Sequence, residues 1–133
     1  MFTTKYKIAF CETDPGGILF FAEFFKIAHI AYERFFESLN LERNYFLDAD
    51  YILPIVHSNA DYLSPVKFGD ELLCEIRVGE IGKTSFELVY KLINKNKTAS
   101  EVLTKHVVVK KQNFEKTKIP NDLLEKLREN QHK

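Results

Sequence analysis

A chain of 133 residues with 45% hydrophobic and 29% charged residues can bury one sizeable core, leaves no room for a second, and is too apolar for a disordered segment. Its 19 basic residues balance 19 acidic ones, so no global field draws it to nucleic acid or to an anionic membrane, and any anion site must be local. No apolar run approaches the ~20 residues that span a bilayer, and the N-terminus lacks the order of a signal peptide, so the expected compartment is the cytoplasm.

Thr3 to Phe10 alternates loosely and predicts a first strand, which stops at the polar turn Glu12-Thr13-Asp14-Pro15-Gly16-Gly17. From Phe20 to Leu39 the apolar residues Phe21, Phe24, Phe25, Ala28, Ala31, Tyr32, Phe35, Phe36 and Leu39 recur at three- and four-residue spacing. That spacing predicts a helix about 30 Å long with a wide apolar stripe, and so many aromatics on one face need a sheet to cover them. Leu41 to Tyr51 is a mixed connector with room for one short helical turn.

Four strand-like runs follow: Leu53 to Leu63, Glu71 to Ile81, Ser85 to Ile93 and Ala99 to Lys110. Ser64-Pro65, Phe68-Gly69-Asp70, Gly82-Lys83 and Asn94-Lys95-Asn96-Lys97 separate them as turns, which makes an antiparallel meander. Phe86, Leu88, Tyr90 and Leu92 alternate with Glu87, Val89, Lys91 and Ile93, so that run is expected to be half-buried, while the Val107-Val108-Val109 block marks the last run as more central. Pro120 to Asn130 closes the chain as a short charged amphipathic helix. Cys11 and Cys74 lie in apolar stretches and are expected as buried free thiols. The whole, residues 1–133, is expected to be a single α+β domain in which a curved antiparallel five-stranded sheet wraps one long helix.

Chemistry concentrates at Asp14. It sits just before the predicted helix start, where unpaired backbone N–H groups and the positive end of the helix dipole favour negative charge. Gly16 and Gly17 allow positive φ and a close approach to the backbone, as an oxyanion site built from main chain requires. Two readings stand at this level: a residue that caps its own turn, or a reactive carboxylate beside main-chain donors. His29 and His57 read as hydrogen-bonded core residues, and with no third ligand at suitable spacing neither makes a metal site. Lys110-Lys111 reads as solvated charge.

The stretch Phe10-Cys11-Glu12-Thr13-Asp14-Pro15-Gly16-Gly17-Ile18-Leu19-Phe20-Phe21 resembles the signature of hot-dog-fold acyl-CoA thioesterases of the 4-hydroxybenzoyl-CoA thioesterase type. So do Ala28 to Glu33, Leu53 to His57, Asp61 to Pro65, Phe68 to Leu72 and Gly82 to Phe86, in order and at matching spacing over residues 3 to 112. The resemblance implies a hot-dog fold and an acyl-CoA substrate, with no metal and no cofactor beyond the coenzyme A that the substrate carries. It assigns Asp14 the role of catalytic aspartate, which attacks the thioester carbonyl or activates a water, and gives the Phe21 backbone N–H, with Gly17 in the same turn, the task of polarising that carbonyl. It also implies a homodimer or homotetramer with each site at a subunit interface.

Phe20-Phe21-Ala22, Ile27 to Glu33 and Leu53 to His57 look most like the 1,4-dihydroxy-2-naphthoyl-CoA thioesterases of quinone biosynthesis, which implies an aromatic acyl group. Phe20, Phe21 and Phe24 would then form a flat apolar pocket, and His57 gains a substrate-side role from the same match. Lys83 and Thr84, at the hairpin the family uses near coenzyme A, would meet its phosphates. The family's short-acyl subset carries a histidine at the place of Phe21 and a tyrosine at that of Phe10, which argues against membership of that subset. Three alternatives stay open: a non-catalytic acyl-binding module, hydrolysis of an aliphatic acyl-CoA, and an acyl carrier protein as donor.

Overall fold

Burial alternates along the runs Glu71–Ile81 and Ser85–Asn94 because one face of each is covered and the other meets water. The computed structural model describes residues 1–131. Strand β1 (Phe2–Lys7) leads through a 3₁₀ turn at Phe10–Glu12 and a loop into helix α1 (Glu23–Ser38). There follow β2 (Tyr51–Ile52), β3 (Ile55–Tyr62), β4 (Glu71–Ile81), β5 (Ser85–Asn94), β6 (Lys97–Val107), β7 (Val109–Lys110) and helix α2 (Asn121–Glu129). One five-stranded sheet runs in the order β1-β4-β5-β6-β3 with every pairing antiparallel, and β2 pairs β7 in a small second sheet.

Helix α1 buries Phe24, Ile27, Ala28, Ala31, Tyr32, Phe35 and Phe36 against the inner face of the sheet, where Leu72, Cys74, Ile76, Phe86, Leu88, Tyr90, Leu92 and Val102 are also buried. Each large side chain buried this way contributes about 1.5–3 kcal/mol. The helix touches β1, β4 and β6, so it lies across most of the sheet, and the hot-dog arrangement expected above is present. Helix α2 buries Leu123 and Leu127, and Asn130 accepts the Val78 N–H at 3.1 Å where a bulge between Val78 and Ile81 interrupts β4.

Several boundaries differ from the sequence-based expectation. The helix begins at Glu23 rather than Phe20, because the Phe20 N–H is tied to the Glu12 carbonyl at 3.0 Å and holds that residue in the loop. The run Leu53 to Leu63 is split: Pro54 has no N–H for a ladder, so the chain makes β2 before it and β3 after it. β6 starts at Lys97 because Lys95 and Asn96 both take positive φ, 51° and 65°, and close a two-residue hairpin. The connector 41–51 forms no helix. The half-buried strand β5 occupies the middle of the sheet, and β6 lies next to an edge; the valine block is buried instead because Val108 leaves β6 and is held by backbone bonds to Thr84 and Thr117. Cys74 is buried, but Cys11 is exposed on the 3₁₀ turn.

The buried histidine is His106, whereas His29 is exposed and pairs with Glu33 at 2.9 Å on the outer face of α1. His106 stacks on Phe86 with ring centroids 5.0 Å apart, and its Nε2 bonds Thr104 Oγ1 at 2.8 Å; that hydroxyl also bonds the Tyr90 hydroxyl at 2.9 Å. Burial lowers its pKa to about 4 against the pull of the Leu53 carbonyl, and His29 adds to the lowering. The unfolded chain therefore binds the extra proton between pH 6.5 and 4, so this contribution to stability is full above 6.5 and is lost as pH falls. His106→Gln should flatten the pH dependence of unfolding free energy across that window by up to about 3 kcal/mol relative to wild type. Urea denaturation at a series of pH values measures it, and an unchanged slope would assign the effect elsewhere.

Candidate functional site

The loop between the 3₁₀ turn and α1 closes on itself as a small hairpin. Thr13 bridges Leu19, the Asp14 N–H donates to the Ile18 carbonyl at 2.9 Å, and the Gly17 N–H donates to the Asp14 carbonyl at 2.9 Å. Gly17 sits at φ +83°, where a side chain would be strained. Gly16 has a different reason: a Cβ there would lie 3.2 Å from Asp14 Oδ1. That oxygen accepts the Gly16 N–H at 2.8 Å and, more weakly, the Ile18 N–H at 3.4 Å, while Oδ2 has no hydrogen-bond partner among the described residues. The capping geometry and a free carboxylate oxygen therefore coexist in one side chain.

The loop is pinned from below. Leu19 is buried and donates its N–H to the carbonyl of buried Val66 at 2.7 Å, and Ile18 bridges Lys67. At its far end Glu23 and Phe24 donate to the carbonyls of Phe20 and Phe21 as α1 begins, and no side chain caps the helix. Among the described residues, the N–H groups of Phe21 and Ala22 enter no backbone hydrogen bond. They are orphan donors of a helix start.

Asp14 lines a cleft of about 490 Å³ with Ile18, Phe20, Phe21, Phe24, Tyr62, Leu63 and Pro65. Phe20 and Phe21 lie 4.9 Å apart, and Tyr62 meets Phe24 edge-on at 5.0 Å and Phe21 at 6.4 Å. An aromatic-walled cleft with a single carboxylate in its lining is suited to an apolar group joined to a reactive centre. A cavity of similar size, about 500 Å³, lies beyond the C-terminal half of α1, and its lining mixes Glu33, Glu37, Glu42 and Arg43.

The structure brings Asp14, Gly17, Phe20, Phe21 and Phe24 together, but His57, Lys83 and Thr84 lie elsewhere in the same chain. The register Tyr62↔Ser100↔Leu92↔Cys74 marks the sheet end at the Asp14 cleft, and Ile55↔His106↔Phe86 marks the other. His57 stands five positions from Tyr62 on β3, about 17 Å away, and faces outward with Lys105. Lys83 and Thr84 lie beyond Ser85, more than about 23 Å along β5 from Leu92. There Lys83 shares a cleft of about 400 Å³ with Lys118 and Arg128, and among the described residues no acidic side chain lines it.

Two residues of this region were not visible in the sequence. Tyr62 reads as one more alternating strand residue until the fold turns it onto Phe24. Glu12 reads as part of a polar turn, yet it is 3% exposed.

A family model described as the thioesterase-like superfamily matches residues 8–127. The chain belongs to this superfamily. Within it, the chain is similar to the 1,4-dihydroxy-2-naphthoyl-CoA hydrolase of Nostoc punctiforme, 31% identical over 131 residues that cover 97% of this chain and 88% of that protein. The enzyme of the same name from Crocosphaera subtropica is 30% identical over 133 residues, 97% of each chain. Among solved structures, a 1,4-dihydroxy-2-naphthoyl-CoA thioesterase from Synechocystis superposes with a TM-score of 0.89 at 24% identity, covering 99% of this chain and 98% of that one. The superfamily match includes the Asp14 loop, α1 and all strands from β2 to β7.

Proposed function

We propose that this protein is a cytoplasmic acyl-CoA thioesterase that hydrolyses an aromatic acyl-CoA, of the 1,4-dihydroxy-2-naphthoyl type used in quinone biosynthesis. The observation that carries the reading is the meeting of one carboxylate, Asp14, and the orphan N–H of Phe21 at an aromatic-walled cleft. The names of the relatives point to the same substrate class.

The chemistry follows from the groups present. The thioester carbonyl accepts a hydrogen bond from the Phe21 N–H, and the positive end of the α1 dipole stabilises the oxyanion that forms. Asp14 uses the oxygen left free by its turn, either to attack the carbonyl and form a mixed anhydride or to draw a proton from an attacking water. On the first route coenzyme A leaves as the thiolate and a water then cleaves the anhydride, which frees the acid and restores Asp14. On the second the activated water adds, the carbon–sulfur bond breaks and the thiolate leaves. On both, the released proton ends on the thiol or in solvent. Gly17 supplies the bend that aims the carboxylate. Phe20, Phe21 and Phe24 with Tyr62 offer ring faces and edges to an aryl group, which favours aromatic over short aliphatic substrates.

The working unit in this reading is a homodimer, alone or within a homotetramer. β3 is an edge strand with Ile55, Val56 and Tyr62 exposed, and between Ile55 and Tyr62 it carries no lysine or proline to block pairing. A second copy added antiparallel about the middle of β3 would satisfy that edge with two-fold symmetry. It would also bring the Ile55 end of one sheet beside the Tyr62 end of the other, so that His57, Lys83 and Thr84 of one subunit approach the Asp14 cleft of its partner. The cleft of Lys83, Lys118 and Arg128 then has the right charge for coenzyme A phosphates.

Asp14→Asn should lower kcat by about 10²–10⁴-fold with the fold and oligomeric state unchanged; near-wild-type thiol release would sink the assignment. With free-thiol detection, naphthoyl- and benzoyl-CoA should exceed hexanoyl-CoA in kcat/KM, and the reverse order would move the substrate to the aliphatic class. A Val56→Lys, Ser58→Lys double variant should sediment as a monomer and lose turnover. A wild-type monomer with full activity would exclude the two-subunit site.

A further inference from the structure

Glu12 is a buried carboxylate that the chemistry above does not use. Its Oε2 accepts the Tyr6 hydroxyl at 2.5 Å and lies 2.6 Å from Lys26 Nζ, and its Oε1 accepts the Ala9 N–H at 2.7 Å. Lys26 is also paired with Glu23. The end of β1, the 3₁₀ turn and the first turn of α1 thus converge on one side chain. The main chain of the same residue accepts the Phe20 N–H at 3.0 Å. Asp14 lies two residues beyond Glu12, and Phe21 follows Phe20, so the candidate carboxylate and the candidate oxyanion donor hang from opposite sides of a single anchored residue.

Burial pushes the Glu12 carboxyl up, and the Lys26 ammonium, the Tyr6 hydroxyl and the Ala9 N–H outweigh it and hold it below the usual carboxylate range. Burial and the Glu12 partner push the Tyr6 hydroxyl up to about 12. With Lys26 about half exposed, its pairing with Glu12 adds little to stability by itself. The network is a good device for fixing geometry, because both oxygens of the buried Glu12 carboxylate are held by donors from separate parts of the chain.

We propose that Glu12 is a positioning residue for the thioesterase reaction: its clamp on Tyr6, Ala9, Lys26 and Phe20 sets the separation between the Asp14 carboxylate and the Phe21 N–H. The inference rests on the hydrolase reading given above, and the clamp itself can be tested without it. A shift of about 1 Å between reacting groups costs about 100-fold in rate. Glu12→Gln keeps an acceptor for the Ala9 N–H but no longer attracts Lys26, so the loop loosens while the acyl cleft retains its walls.

In the full chain with 1,4-dihydroxy-2-naphthoyl-CoA, Glu12→Gln should lower kcat by about 100-fold and leave KM within about two-fold. Amide hydrogen exchange should quicken over residues 13–22 and stay unchanged in β5 and α2. Wild-type kcat with wild-type exchange overturns the proposal, as does a rise in KM at constant kcat. If Glu12→Gln unfolds, Tyr6→Phe removes one bond from the same carboxylate and should show the same split of kcat from KM in smaller measure; an unchanged kcat there overturns it. If the wild-type protein hydrolyses no acyl-CoA, the hydrolase reading falls, and unchanged exchange in Glu12→Gln rejects the clamp separately.

Discussion

The structure depends on the burial of one helical stripe against one sheet face. α1 presents Phe24, Ile27, Ala28, Ala31, Tyr32, Phe35 and Phe36 on a single side, and no surface but the inner face of the five-stranded sheet is broad enough to cover them. Ala28 and Ala31 let the helix approach the strands closely while the aromatics fill the space on either side. Everything at the site follows from where that helix begins. Because its stripe fixes the rotation and height of α1 over the sheet, the orphan N–H groups at its start come to rest above Val66 and Tyr62, at one end of the strands.

A helix start over a sheet end is not yet a site; it needs a group to act against the donors. The Asp14 hairpin provides it, and the hairpin is held three ways: by its own turn bonds, by Leu19 docking on Val66, and by Glu12 beneath both of its feet. The turn bonds use one carboxylate oxygen and leave the other. The turn role of Asp14 and its proposed reactive role therefore fall on different atoms of one side chain. Polar groups elsewhere in the core follow a related logic. The Tyr90 and Thr104 hydroxyls and the His106 Nε2 form one chain of hydrogen bonds, at the expense of a histidine that is held neutral.

The two ends of the sheet carry different chemistry. One end is apolar and bears the Asp14 cleft, and the other bears Lys83, Lys118 and Arg128 with no acid among them. A thioester of coenzyme A has the same polarity, an acyl group at one end and phosphates at the other. A single chain sets these two surfaces far apart along β5; in the proposed dimer a two-fold copy across β3 would reverse the second sheet so that unlike ends meet. The proposed partner would therefore cover the exposed β3 edge and join the two surfaces at once.

Much of this was legible in the amino-acid sequence. Periodicity alone determined the long helix from Phe24 onward and the inward set Phe86, Leu88, Tyr90 and Leu92, because helix and strand spacing are local properties that burial then exploits. The motif around Asp14 identified the turn, its glycines and the superfamily, since a positive φ at Gly17 and a close carboxylate at Gly16 leave few residue choices. What tertiary structure alone decided were the long-range meetings. Glu12 and Lys26 carry no spacing that relates them, His106 looked like any polar residue on a strand, Tyr62 gained its place only when β3 folded beside α1, and Cys11 proved exposed where its apolar neighbours suggested burial. His57, Lys83 and Thr84, expected at the substrate, lie away from the Asp14 cleft within one chain. Sequence encodes which face a residue takes, through periods of two and 3.6; which strangers share that face is set by the sheet order and register, and those are chosen by the packing of the whole chain.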